Sequence, residues 1–204
     1  MAVRRASRGG GKRGDAKKAA IIAGARAVFL GTGFGETSMD AVAARAGVSK
    51  MTVYRHYGSK EALFAGVITD LCEKIVTDDL DAVFRREPRE ALRLFARKMI
   101  DIVFARDTIE LHRIVVAESR RFPKLGRLFY RTGPAACIDA LEAYFARNAR
   151  DTRFKVRNPR RAAEEFLELL RGYAHLRVML GLEKALSKQE IAQRIDGAIR
   201  HVIR

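Results

Sequence analysis

Apolar residues recur along nearly the whole chain at intervals of three and four, the spacing that lines one face of an α-helix. Ile21, Ala25, Val28 and Phe29 mark a first helix running from Asp15, which can cap it, to about Leu30. Gly31, Gly33 and Gly35 end it. Thr37 or Ser38 can cap a second helix, with Asp40 returning a bond as in a capping box. Met39, Val42, Ala43 and Ala46 form its inner face. Gly47 stands where the following turn needs a positive φ. Ser49 then caps a short third helix, about Lys50 to Tyr57, whose Val53 and Tyr57 turn inward together with Val48. Ser59 caps a long fourth helix, with Glu61 in its first turn and Leu63, Val67, Leu71 and Ile75 one turn apart.

Further on, Pro88 suits the start of a fifth helix carrying Leu92, Phe95, Met99 and Val103. A sixth covers about 108–120. Pro123 opens a seventh that Gly133-Pro134 should kink or break. Asn158-Pro159 starts an eighth, and Ser187 caps a ninth. No stretch alternates with period two and no repeat of solenoid length is present. The pattern therefore predicts an all-α fold of about nine helices.

Helices two and three, joined through Gly47, have the layout of a helix-turn-helix, which presents its second helix to the major groove of DNA. With Val53 and Tyr57 inward, Lys50, Met51, Thr52, Tyr54, Arg55 and His56 face other surfaces. Lys50 and Arg55 suit guanine O6 and N7, Thr52 suits several base edges, and Met51 suits a thymine methyl. Tyr54 and His56 can donate to phosphate oxygens. Lys60 can reach a phosphate beside the N–H groups of the fourth helix. The plainer alternative is a helical hairpin with a polar outer face.

Charge moves the balance toward DNA. Among 204 residues, 40 are Lys or Arg against 24 acids, a net charge of +16, which favours a polyanionic partner. Arg4, Arg5, Arg8, Lys12 and Arg13 stand among four glycines in residues 1–14, predicting a disordered basic arm that follows DNA phosphates or is an idle tail. The expected organisation is this arm, a DNA-binding unit over 15–60 and a larger helical unit over 61–204 that senses and dimerises.

Other functional classes find little support. Cys72 and Cys137 are far apart, in apolar helical contexts, and read as buried structural thiols. No metal spacing, phosphate loop or nucleophile-base set is present, so no enzyme, metal or cofactor is expected. The basic start lacks the apolar run of a signal peptide, and no stretch approaches the ~20 apolar residues of a membrane span. A cytoplasmic protein without membrane contact is expected. A second DNA-binding reading, a non-specific architectural protein held by its charge, remains beside the specific one; the capped third helix argues for the specific one.

The run AIIAGARAVFLGTGFGETSM followed by DAVAARAGVSKMTVYRHYGSKEALF resembles the TetR (tetracycline-repressor-like) family of bacterial regulators. Val42-Ala43, Ala46-Gly47-Val48-Ser49, Thr52-Val53-Tyr54, His56-Tyr57, Lys60 and Leu63-Phe64 carry the likeness over about 50 residues. It implies a homodimeric repressor that binds palindromic double-stranded operators and lets go when a small-molecule effector binds. Carried over, Thr37, Ser49, Lys50, Thr52, Tyr54, His56 and Lys60 fall where family members contact DNA, and Ser38, Met51 and Arg55 complete the candidate set. Met51 stands where the family more often has a small residue, and Tyr57 where Phe is commoner. The run LHRIVVAESRRFPKLGRLFY, residues 111–130, resembles the AefR-like subgroup through Arg113, Glu118 and Arg121-Phe122-Pro123. The resemblance also implies that the last two helices pair with their symmetry mates, through Phe166, Leu169, Leu170, Tyr173, Leu176, Ile191, Ile195 and Ile199. Candidate effector contacts are His112, Arg113, Tyr130 and Tyr173, with Glu118, Tyr144 and His175 as further polar groups in apolar helices.

Overall fold

The structure is a computed structural model; it describes the backbone of residues 11–76 and 80–204 and the side chains of residues 14–71 and 80–204. The expected basic arm lies largely outside the described residues, as do the side chains of Cys72 and Ile75. Every named element is a helix: α1 Gly11–Glu36, α2 Met39–Ala46, α3 Lys50–Tyr57, α4 Lys60–Val76, α5 Leu80–Phe84, α6 Pro88–Val103, α7 Arg106–Glu118, α8 Pro123–Thr132, α9 Pro134–Arg147, α10 Pro159–Met179 and α11 Lys188–Val202. The all-α expectation holds, with eleven helices described rather than about nine. Gly133 breaks the expected seventh helix into α8 and α9. The short α5 has too few residues to show a period. It is held by Phe84, which stacks on Tyr144 at 4.3 Å and meets Phe95 at 5.7 Å.

Two compact units follow one another, residues 1–67 and 68–204. In the first, α1 begins at Gly11, so Asp15 lies inside the helix and does not cap it. Helical geometry continues past Leu30 and breaks at Gly33, whose φ of 77° is open to glycine at little cost. The break returns Phe34 to the core, where Phe29, Phe34 and Phe64 meet with ring centroids 5.0–5.9 Å apart. Ile21, Ala25, Val42, Val53 and Leu63 are fully buried around them.

Two glycines set how closely these helices approach. A Cβ on Gly24 would stand 3.0 Å from the backbone N of Ala46 and 3.1 Å from its Cβ. A Cβ on Gly66 would stand 2.6 Å from the Tyr57 ring. The small Ala46 thus has a still smaller partner, Gly24, across the α1–α2 contact.

In the second unit α6, α9, α10 and α11 enclose the core. Leu92, Phe95, Ile100, Leu141, Phe145, Phe166, Leu170 and Ile199 are all at most 1% exposed. Tyr144 is among the buried residues, at the Phe84 and Phe154 rings, and burial pushes its hydroxyl pKa up to about 12. That places Tyr144 in the core rather than at an effector. The chain end is tied down: Lys155 N–H donates to Val202 O at 2.9 Å and Arg204 N–H to Arg153 O at 2.8 Å. Asn158 caps α10 by accepting from Arg161 N–H, and Ser187 with Glu190 forms a full capping box on α11. α10 is not straight: Gly172 has φ 44° and ψ −156°, splitting it into two helical segments.

Candidate nucleic-acid interface

The interface is built on α2, the Gly47 turn and α3. Ser38, not Thr37, caps α2: its Oγ accepts from Ala41 N–H at 3.1 Å. Gly47 adopts the left-handed conformation (φ 65°) and its N–H donates to the carbonyls of Ala43 and Ala44, closing α2. Ser49 caps α3 by accepting from Thr52 N–H at 3.2 Å, and its hydroxyl also lies 2.9 Å from that of Thr52. Gly58, at φ 66°, ends α3, and Ser59 caps α4 by accepting from Ala62 N–H.

α3 thereby sits with Val53 fully buried and Tyr57 half-buried, while Lys50, Met51, Tyr54, Arg55 and His56 are exposed and Thr52 is partly so. Met51 is 75% exposed, an unusual place for a thioether on an otherwise polar face. No acid lies on α3. The acid that matters comes from α2: Asp40 accepts from Lys50 Nζ at 2.8 Å. Asp40 therefore makes no capping box with α2 but holds the first cation of α3, whose pKa rises through that hydrogen bond. The sequence signal for this is opposite charges on either side of a tight turn, Asp40 on α2 and Lys50 at the start of α3.

Two expected DNA contacts have other partners. Thr37 is 4% exposed; its hydroxyl donates to Gly33 O at 2.6 Å and lies 3.1 Å from the Thr32 hydroxyl. Its hydroxyl is thereby engaged within the fold and turned away from solvent. Lys60 donates to Gly35 O at 2.8 Å and lies 4.8 Å over the Phe34 ring. It retains donors for a phosphate, yet its position is set by those two contacts.

The expected dimer set divides. Phe166, Leu170, Ile195 and Ile199 are at most 4% exposed and belong to the unit's own core, so they cannot meet a second copy. Ile191 is packed against that core. The sequence stripe merged two faces of α10. The outer one carries Leu169, Tyr173, Leu176 and Leu180, 42–81% exposed. Beside it runs a groove of about 360 Å³ lined by Leu169, Gln193 and Gly197, where nothing lies within 4 Å of a Cβ on Gly197.

The expected effector set divides as well. Arg113 caps the end of α10, its Nε donating to Met179 O and its Nη2 to Val178 O, both at 2.9 Å. Its remaining pairing is with Glu110. Tyr173 is 81% exposed on the outer row and cannot line an interior cavity. Tyr130, half exposed, borders a cavity of about 310 Å³ with Met99, Cys137, Leu167 and Arg171. His112 is half-buried and stacks on Phe129. No described helix is long and apolar enough to cross a membrane.

Comparison with known proteins agrees with this geometry. Residues 21–67 match the family model of the bacterial regulatory proteins of the tetR family, and residues 90–204 match that of the AefR-like transcriptional repressor C-terminal domain. The HTH-type transcriptional activator FasR of Mycolicibacterium smegmatis (strain ATCC 700084 / mc(2)155) is 30% identical over 101 residues, 47% of this chain; the match spans 46% of that relative's length. The flavonoid-responsive regulator FrrA has a solved structure, 38% identical, with 92% of this chain and 97% of that one covered at a TM-score of 0.69. A TetR-family regulator from Mesorhizobium loti MAFF303099 is 25% identical, with 95% and 100% covered at a TM-score of 0.76. One from Pseudomonas syringae pv. tomato str. DC3000 is 27% identical, with 92% and 95% covered at 0.66.

Proposed function

This chain belongs to the TetR family of bacterial regulatory proteins, and from that premise we propose that it is a homodimeric repressor that leaves a palindromic operator when a small molecule binds. That it is a DNA-binding transcriptional regulator follows from the family itself, which is one of regulators and not of enzymes. The repressor sense is supported by the AefR-like repressor domain over 90–204. Response to a small molecule is supported by FrrA, a flavonoid-responsive regulator aligned over nearly the full chain.

One observation carries the reading: α3 turns only Val53 fully inward and holds Lys50, Met51, Tyr54, Arg55 and His56 on its open side. With Ser38, Ser49, Thr52 and Lys60 these form the proposed DNA contacts, and Thr37 is dropped. A recognition helix reads one half-site; two copies on a two-fold axis read a palindrome with half-sites ~34–36 Å apart. The outer row of α10 is the proposed seam between copies.

The test is recovery of genomic fragments bound by the protein, followed by footprinting. A shared palindrome protected on both halves is expected, with a preference over unrelated DNA of ~10³ or more. Lys50→Ala with Tyr54→Ala should weaken operator binding by at least tenfold. A ratio near one would instead identify an architectural binder held by charge, whose affinity falls steeply with salt. Because FasR is an activator, transcription from the recovered promoter should be followed with and without the protein. A rise in transcript would reverse the sign of the proposed regulation.

A further inference from the structure

Between α7 and α10, inside the second unit, the fold leaves a set of polar groups with nothing to bond to. His175 is 7% exposed, and no hydrogen bond reaches its imidazole among the described residues. Its ring lies 5.3 Å from that of His112 and meets Phe104 edge-on at 5.6 Å. His112 stacks on Phe129 at 5.0 Å and likewise makes no hydrogen bond there.

One turn before His112 on α7 stands Thr108, whose hydroxyl is buried without a partner. One turn before His175 on α10 stands Arg171, whose Nε is also buried without a partner, while its Nη1 lies 3.4 Å from Glu168. Residues four apart share a helix face, so Thr108–His112 and Arg171–His175 form two parallel pairs. Arg171 is close enough to both rings for its charge to oppose their protonation. Burial acts in the same direction and more strongly, so both imidazoles are neutral at neutral pH. Each then offers one donor and one acceptor. A cavity of about 310 Å³ reaches Arg171 from the Tyr130 side, and another of about 520 Å³ reaches Phe104 from the Arg113 side.

A buried donor or acceptor without a partner is costly, and native folds keep few of them. Here two such atoms, the Thr108 hydroxyl and Arg171 Nε, lie beside two imidazoles that are themselves lined by Phe104 and Phe129. We propose that this cluster is the effector site, and that the effector is a planar aromatic molecule bearing an acidic or hydroxyl oxygen. The inference rests on the ligand-responsive reading above and deepens it. Phe104 and Phe129 close the two ends of the row of imidazoles, and the guest meets that row from the cavity at Arg171. The oxygen points to Arg171 Nε and to one imidazole, and Thr108 takes a second polar group. A wholly apolar molecule of the same size leaves all four groups as they are and gains only the walls.

The test uses the full-length protein with three probes of one shape: 2-naphthol, 2-naphthoate and naphthalene. Calorimetry should show 2-naphthol or 2-naphthoate binding at least tenfold tighter than naphthalene. His175→Phe should weaken that binding at least tenfold, and Arg171→Met should weaken 2-naphthoate more than 2-naphthol. If Arg171→Met affects both alike, the oxygen is read as a hydroxyl. Should a variant fail to fold, long-range 1H–15N spectra of the wild-type histidine rings give the answer directly. The His175 ring nitrogens should shift on adding the tighter probe. Unmoved His175 signals, or equal affinity in wild type and His175→Phe, would overturn the site. Operator release is measured separately: binding at the cluster without release leaves the site standing and removes the ligand-responsive reading. Release that is the same in His175→Phe does the reverse.

Discussion

Lys50 enters the recognition helix already engaged, its ammonium 2.8 Å from the Asp40 carboxylate. Both side chains are more than half exposed, so solvent screening leaves the pair little weight in stability. Its weight is expected to fall on binding: the Asp40 carboxylate holds Lys50 back from a base edge, and Asp40 itself repels phosphate. Asp40→Asn should therefore tighten binding to operator and unrelated DNA by a few-fold while leaving the melting temperature within a degree or two, as measured by fluorescence anisotropy and calorimetry. Weaker operator binding in Asp40→Asn would instead mean that Asp40 aims Lys50. His175 gives a second residue-scale prediction. Its pKa is held at about 4 in the fold, first by burial, then by the charges of Arg171 and His112, against 6.5 when unfolded. On lowering pH the unfolded chain takes the proton first. Stability is complete above about pH 6.5, falls from there through about pH 4 and then levels; a gap of that size is worth on the order of 3 kcal/mol. His175→Gln should flatten that stretch of the denaturation profile, and an unchanged slope would remove His175 as its source.

At the scale of helices, Gly24 is a point of close approach between α1 and α2. Adding a methyl there gains about 1 kcal/mol of helix propensity but presses on the Ala46 backbone at 3.0–3.2 Å, and overpacking costs about 1–3 kcal/mol. Gly24→Ala should lower the stability of the first unit, whereas Gly31→Ala, with nothing within 4 Å, should raise it. Matched gains in thermal unfolding would show that the contact is not tight. These helices also show what the sequence made legible. Caps at Ser38, Ser49, Ser59, Asn158 and Ser187 and the turn at Gly47 were readable because each depends on chemistry within four residues. The glycine run 31–35 leaves the end of α1 open among three positions, of which Gly33 carries the break, and Asp15 is no cap because the helix starts before it. The face of α10 could not be divided from periodicity alone: Phe166, Leu167 and Leu170 are buried by packing within the second unit, while Leu169 between them stays 42% exposed. The Arg113 clamp spans 65 residues of chain, beyond any local signal.

For the whole molecule the exposed row Leu169, Tyr173, Leu176 and Leu180 is too apolar to remain in water without consequence. Leu176→Glu with Tyr173→Glu should convert a dimer to a monomer in sedimentation and reduce operator binding far more than binding to a single half-site. A dimer that survives both changes would move the seam elsewhere. Gly172 lies between the two halves of this story. Arg171, just before it, belongs to the buried cluster, and Tyr173, just after it, belongs to the outer row, and the peptide joining them is out of helical register at φ 44°. If the proposed effector site and seam hold, such a joint would couple the grip on a guest to the grip between copies, and thermodynamic reciprocity would make that coupling equal in both directions. Gly172→Ala forces a side chain into a positive φ, with Arg194 Nη1 3.1 Å away. Self-association and ligand affinity should then drift together, and a protein in which only one of them moves has no joint at that residue.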